Sequence, residues 1–132
     1  MDTERLETIA SRFGVRLILQ FGSTVSGRVH AGSEVDLAVL LDRPDFPLRD
    51  RVRLLHELQS LVGDREVDLV VLNRADPLLL KQVSEGCVRF YGSDREFQRF
   101  RLLAFKRYQD HRPWLERERR YVERALERDF PS

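Results

Sequence analysis

The chain has 132 residues, of which 42% are apolar and 34% charged, enough for one domain with a real core and a soluble surface. A formal net charge of +1 excludes a global electrostatic pull toward nucleic acid or anionic membrane. The single cysteine, Cys87, excludes an internal disulfide and a Cys-based zinc site, and reads as a small buried hydrophobe.

In chain order, Asp2 or Thr3 can cap a helix with Leu6, Ile9 and Ala10 on one face and Gly14 as its stop. VRLILQF (Val15–Phe21) follows as a strand, and GSTVSGRVHAGS as a loop with room for one helical turn from Ser23. VDLAVLL (Val35–Leu41) is a second strand. Leu48–Gly63 has Val52, Leu55, Leu58 and Val62 at three- and four-residue spacing and reads as an amphipathic helix. EVDLVVLN (Glu66–Asn73) is a third strand. Asp76-Pro77 opens a helix to about Glu85, with Pro at its first position, and CVRFY (Cys87–Tyr91) is a short fourth strand.

From Ser93 the pattern is helical, with Ser93 and Glu96 spaced as a capping box. Phe97, Phe100, Leu103, Ala104 and Tyr108 share one face. Pro113 is expected to break the run. A last helix then carries Leu115, Val122 and Leu126, with Trp114, Tyr121 and Ala125 beside them. Trp114 and Tyr121 suit either closure of the chain's own core or anchors at a protein interface. The order predicts an α/β (α+β) fold, a mixed sheet covered by helices and followed by C-terminal helices.

No acid-free apolar leader opens the chain, and no apolar run approaches the roughly 20 residues a membrane helix needs; a cytoplasmic protein without membrane partners is expected. The basic residues are 21 Arg against 2 Lys. A GC-rich genome accounts for that bias, as would recognition of anions by guanidinium forks. His56 reads as a surface residue, and His30 as a candidate phosphate contact.

The chemistry concentrates between Phe21 and Leu41. On a strand, residues two apart face the same side, so Glu34 and Asp36 project together. The third strand repeats the context, EVDLVV against EVDLAV, with Asp68 as its interior acid. Carboxylates among Val, Leu and Ala need compensation. Three on neighbouring strands can hold two Mg²⁺ ions for in-line phosphoryl or nucleotidyl transfer. Gly22 lets a phosphate approach the backbone, and Ser23 could donate to a phosphate oxygen.

An apolar residue, Gly-Ser, a spacer of about ten residues, then acid-x-Asp in an apolar strand and a later strand Asp resembles the minimal nucleotidyltransferases of the DNA polymerase beta superfamily. Here the motif reads Phe21, Gly22-Ser23, Glu34-Val35-Asp36 and Asp68. The resemblance covers about residues 15–92. It implies a nucleotidyltransferase core over residues 1–92, with residues 93–132 a helical extension of the same domain that resembles the tail of members paired with HEPN-domain toxins.

The resemblance further implies an antitoxin that transfers AMP from ATP to a tyrosine hydroxyl of a HEPN toxin. Glu34, Asp36 and Asp68 would be catalytic and would bind two Mg²⁺; Gly22, Ser23 and Arg28 would hold the nucleoside triphosphate. The family normally has Asp where this chain has Glu34, and several relatives have basic residues in the GS loop where this chain has Thr24, Val25 and Ser26. Two other readings fit: an antitoxin that masks its toxin by binding alone, and adenylyl transfer to a small molecule such as an aminoglycoside. The near-neutral charge and the lack of an aromatic platform argue against nucleic acid.

Overall fold

Four strands form one sheet in the order β3-β2-β1-β4, in a computed structural model that describes residues 2–22 and 34–130. The elements are α1 (Thr3–Phe13), β1 (Val15–Phe21), β2 (Val35–Leu41), α2 (Leu48–Val62), β3 (Val67–Val71), a 3₁₀ turn (Leu72–Arg74), α3 (Pro77–Glu85), β4 (Cys87–Tyr91) and α4 (Asp94–Asp129). β1 runs antiparallel to both β2 and β4, whereas β2 and β3 are parallel. The α/β nucleotidyltransferase-type arrangement expected from the element order is present, with a mixed sheet between helical layers.

Local chemistry explains most boundaries. The Asp2 carboxylate accepts from the Glu4 and Arg5 amides at the start of α1, and Gly14 closes that helix with a left-handed φ of 69°. Asp76 accepts from the Leu79 amide, and Pro77 occupies the first turn of α3. Ser93 Oγ accepts from the Glu96 amide at 3.1 Å. These side chains take up amides that helix geometry leaves without partners.

Both sheet faces are buried. Val15, Ile18, Val35, Leu37, Val39 and Leu69 pack against α1 and α2 through Leu6, Ile9, Leu54 and Leu58. Leu17, Leu19, Ala38 and Leu72 pack against Leu80 and Val83 of α3 and Phe100 and Ala104 of α4. The pairing of β1 with β2 shifts between Val15 and Leu17. This bulge lets Val15 and Ile18 face one layer while Leu17 and Leu19 face the other.

Three expectations need correction, and one open alternative is decided. On α2, Leu54 and Leu58 are buried, whereas Val52 is 56% exposed. Sets starting at Val52 and at Leu54 share Leu58 and have similar helical spacing, so the phase is decided by the sheet and not by the helix. β3 ends at Val71 and not Asn73. There the chain turns into 3₁₀ geometry, and the Asn73 side chain continues the pairing, accepting from the Leu41 amide at 2.8 Å and donating to its carbonyl at 2.9 Å.

Pro113 does not end a helix. α4 is one helix of 36 residues with Pro113 inside it, about 54 Å long at 1.5 Å per residue. Pro113 removes the bond to the Gln109 carbonyl, but both residues are exposed, so water can satisfy that carbonyl. Finally, the stripe from Trp114 to Leu126 does not close the chain's own core: Trp114, Tyr121, Val122 and Leu126 are all more than half exposed.

Candidate active site

The sheet places the acids. Asp36 and Asp68 are direct partners in the parallel register of β2 and β3, a separation of about 4.8 Å between strands. Asp36 is also opposite Phe21, the last residue of β1, so Gly22 lies beside it. Glu34 is two residues before Asp36 and shares its face. Its strand is anchored at that point by the Val35 amide, which donates to the Glu66 carbonyl at 2.7 Å. One carboxylate oxygen from each of Glu34, Asp36 and Asp68 lies within 4.8 Å of the others.

No ion pair among the described residues involves these three acids. Burial first, and the Asp68 carboxylate second, push the Asp36 carboxyl above its ordinary range. Three oxygens at this spacing suit a hard cation. Octahedral Mg²⁺ at about 2.1 Å takes oxygen ligands of this kind and keeps remaining positions for water and phosphate. The residues present therefore fit a divalent cation, with Asp36 standing between Glu34 on its own strand and Asp68 on the next.

Gly22 has φ 84°, in the region that favours glycine, and a Cβ built there would strike the Asp36 carboxylate. The glycine thus does two things. It turns the chain out of β1, and it leaves room for Asp36 to stand in the cluster.

Residues not singled out from sequence also hold the site. The Gln59 Oε1 on α2 accepts from the Val67 amide at 2.9 Å, and its Nε2 donates to the Gly63 carbonyl at 3.3 Å and to the Arg65 carbonyl. This ties the turn before β3 and sets where Asp68 begins its strand. Arg51 Nη2 donates to the Leu69 carbonyl at 3.2 Å, one residue past Asp68. A polar residue on the inward side of a helix, next to Leu58, was the available signal for Gln59. Ser23, Arg28 and His30 lie outside the described residues, as does the helical turn expected from Ser23. His56 is exposed and Cys87 half-buried.

The raised carboxyl has a sign. Because the folded chain holds the Asp36 proton more tightly than the unfolded chain does, the stabilisation from its protonated form is complete below the unfolded value of about 3.9. It is lost as pH rises through the raised folded value. At neutral pH the ionised Asp36 therefore opposes folding. Asp36→Asn is expected to melt at a higher temperature than the unsubstituted chain at pH 7 without divalent cation, with the gap closing toward pH 4. Differential scanning fluorimetry across that range checks this, and equal midpoints at pH 7 would count against it.

A mixed sheet with a Gly-containing turn after its central strand and three converging acids on the next two strands defines a nucleotidyltransferase. Residues 4–96 match the family described as Polymerase beta, Nucleotidyltransferase, and the chain belongs to that family. Its similarity extends to particular members. It is 33% identical over 96 residues to the protein adenylyltransferase MntA of Shewanella oneidensis, covering 72% of this chain and 67% of that protein.

Among solved structures, a toxin-antitoxin structure with AMP-PNP superposes with a TM-score of 0.74 at 26% identity, covering 96% of this chain and 98% of that one. A second, described as a minimal nucleotidyltransferase, superposes with a TM-score of 0.53 at 30% identity, covering 67% of this chain and 95% of that one. Among the described residues, no helix is long and apolar enough to cross a membrane.

Proposed function

We propose that this chain is a cytoplasmic antitoxin that transfers AMP from ATP to a tyrosine hydroxyl of a HEPN-domain toxin partner. The observation that carries the reading is the convergence of Glu34, Asp36 and Asp68 within 4.8 Å on a nucleotidyltransferase scaffold, in a chain similar to a protein adenylyltransferase. The similar toxin-antitoxin structure with AMP-PNP supports both nucleotide and partner. Residues 1–92 form the transferase core, and residues 93–132 extend the same domain.

Glu34, Asp36 and Asp68 would hold two Mg²⁺, which when bound neutralise triphosphate charge and polarise the α-phosphate. Gly22 and Ser23 hold the outer phosphates, and Arg28 adds positive charge. The tyrosine oxygen attacks the α-phosphorus, the bond from that phosphorus to the bridging oxygen breaks, and pyrophosphate leaves. Asp68, the more exposed strand acid, takes the proton of the attacking hydroxyl. Positioning and charge neutralisation supply most of the rate.

The test is the intact mass of the toxin partner after incubation with this chain, ATP and Mg²⁺. A gain of one or more AMP units supports transfer; a stable complex without a mass change refutes it and leaves masking by contact. That second reading has its own observation in Glu34, whose extra methylene shifts a carboxylate by about a bond length against a cation that demands near-ideal geometry. Misplacement on the order of 1 Å can cost up to about 100-fold. Glu34→Asp is therefore expected to raise the transfer rate by about tenfold. An unchanged or lower rate would show that the site is built around the longer acid.

A further inference from the structure

The buried stripe of α4 does not stop where the body of the protein stops. Phe100 and Ala104 are buried against β1 and α3, and one turn further along Lys81 Nζ of α3 lies 5.0 Å from the centre of the Tyr108 ring. From there to Asp129 the helix continues for about 30 Å, and no described residue in that stretch is buried. The stripe continues in register. Leu115 and Val122 follow Tyr108 in steps of seven, Leu126 follows Val122 by four, and Trp114 and Tyr121 flank them. Exposures are 53% for Trp114, 72% for Tyr121, 53% for Val122, 52% for Leu126 and 76% for Phe130. Pro113 lies well away from the line of Tyr108, Leu115 and Val122 around the helix.

Apolar pairs recur seven residues apart, Trp114-Leu115 and Tyr121-Val122, with Glu118 and Arg119 between them; large apolar side chains spaced in this way mark a binding surface. Its charges exclude some occupants. Between Arg112 and Phe130 there are six arginines and five acids, and Arg112–Glu116 and Arg119–Glu123 pair within the helix at 3.1 Å. A nearly neutral, self-paired rim offers little to nucleic acid or to an anionic lipid surface. It suits an apolar groove in another protein that seats a helix by spaced anchors.

The comparisons say which protein. The chain described only as a minimal nucleotidyltransferase covers 67% of this one, about the share that precedes α4. The chain from the toxin-antitoxin structure covers 96%, which leaves only about five residues of 132 outside and so takes in almost the whole projecting helix. The part of this chain that the catalytic family match does not need, beyond residue 96, is thus shared with a chain from a toxin-antitoxin structure. We infer that the projecting half of α4 is the toxin-docking surface, with Trp114, Leu115, Tyr121, Val122 and Leu126 as anchors seated in an apolar groove of the toxin. This rests on the partner proposed above but not on the transfer chemistry.

The experiment uses the full chain and the Val122→Glu/Leu126→Glu double variant. The probes are any HEPN-domain protein encoded beside this chain's gene and, in parallel, the HepT toxin. The unsubstituted chain is expected to bind at least one of them, and the variant to bind at least about thirtyfold more weakly, with its melting temperature and nucleotide affinity unchanged. Unchanged toxin affinity in the variant overturns the inference. So does failure of the unsubstituted chain to bind either toxin, or a homodimer that the variant dissociates without loss of toxin binding. Binding that the variant loses, with no AMP added to the bound toxin, upholds the docking surface and refutes only the transfer reading.

Discussion

Replacing Asp36 by Ala is expected to lower AMP transfer by about 1,000-fold or more, and Asp68→Ala by a comparable amount. Asp36 is the register partner of Asp68, the neighbour of Gly22 and a member of the acid cluster. A metal that neutralises developing phosphate charge is worth several kcal/mol, and each factor of ten in rate costs about 1.36 kcal/mol. Losing one of the carboxylates that would hold the cation should remove most of that term. The two changes should also be strongly non-additive, because each disables the same unit. Transfer of label from ATP to the toxin partner, measured in single-turnover reactions, reads this directly. Retention of more than about a tenth of the rate in either variant would remove these acids from the mechanism.

Gly22→Ala should damage both stability and activity. At φ 84° a Cβ is strained, and the space it would enter is held by the Asp36 carboxylate. The left-handed conformation costs roughly 1–2 kcal/mol for a residue with a Cβ, and the Asp36 carboxylate must also move out of the space it occupies beside Gly22. The backbone cost alone, about 1–2 kcal/mol, is a sizeable part of the 5–15 kcal/mol that stabilises an ordinary domain. Urea unfolding should show a lowered midpoint with the slope unchanged. The Gly22→Ala/Asp36→Gly double variant should recover part of that loss, because removing the carboxylate leaves only the backbone term, yet it should not recover transfer. A single variant as stable as the original chain would mean that Asp36 can swing away freely and that the cluster is not held as a unit.

The two substitutions act on the same few ångströms, and that region is legible in the sequence. Repetition of EVDL in two strands, with Gly-Ser after a third, put Asp36, Asp68 and Glu34 together, and the parallel register of β2 and β3 brings them to one place. α1, β1, β2, α3 and β4 were readable because their ends carry local chemistry: Asp2 and Asp76 as caps, Gly14 as a stop, Pro77 in a first turn.

What was missed depends on distant partners. The face of α2 was misphased because Val52 and Leu54 differ only in which one meets the sheet. The end of β3 depends on Asn73 reaching Leu41, 32 residues away in sequence. Gln59 anchors the turn before Asp68 through backbone groups that no helical periodicity reveals. Pro113 looks like a break in the sequence, but the penalty of a proline depends on whether the carbonyl it releases can meet water. At Gln109 it can. The same exposure leaves the far half of α4 without a partner in its own chain, and a sequence pattern alone could not choose between core and interface for Trp114 and Tyr121.

Calorimetric titration of Mn²⁺ in the presence of a non-hydrolysable ATP analogue tests most directly whether the acid cluster is a divalent-cation and nucleotide site. Two ions should bind per chain, the nucleotide should bind far more weakly without them, and both should be lost in the Asp36→Asn/Asp68→Asn variant. Cation and nucleotide binding that survive unchanged in that variant would contradict the account.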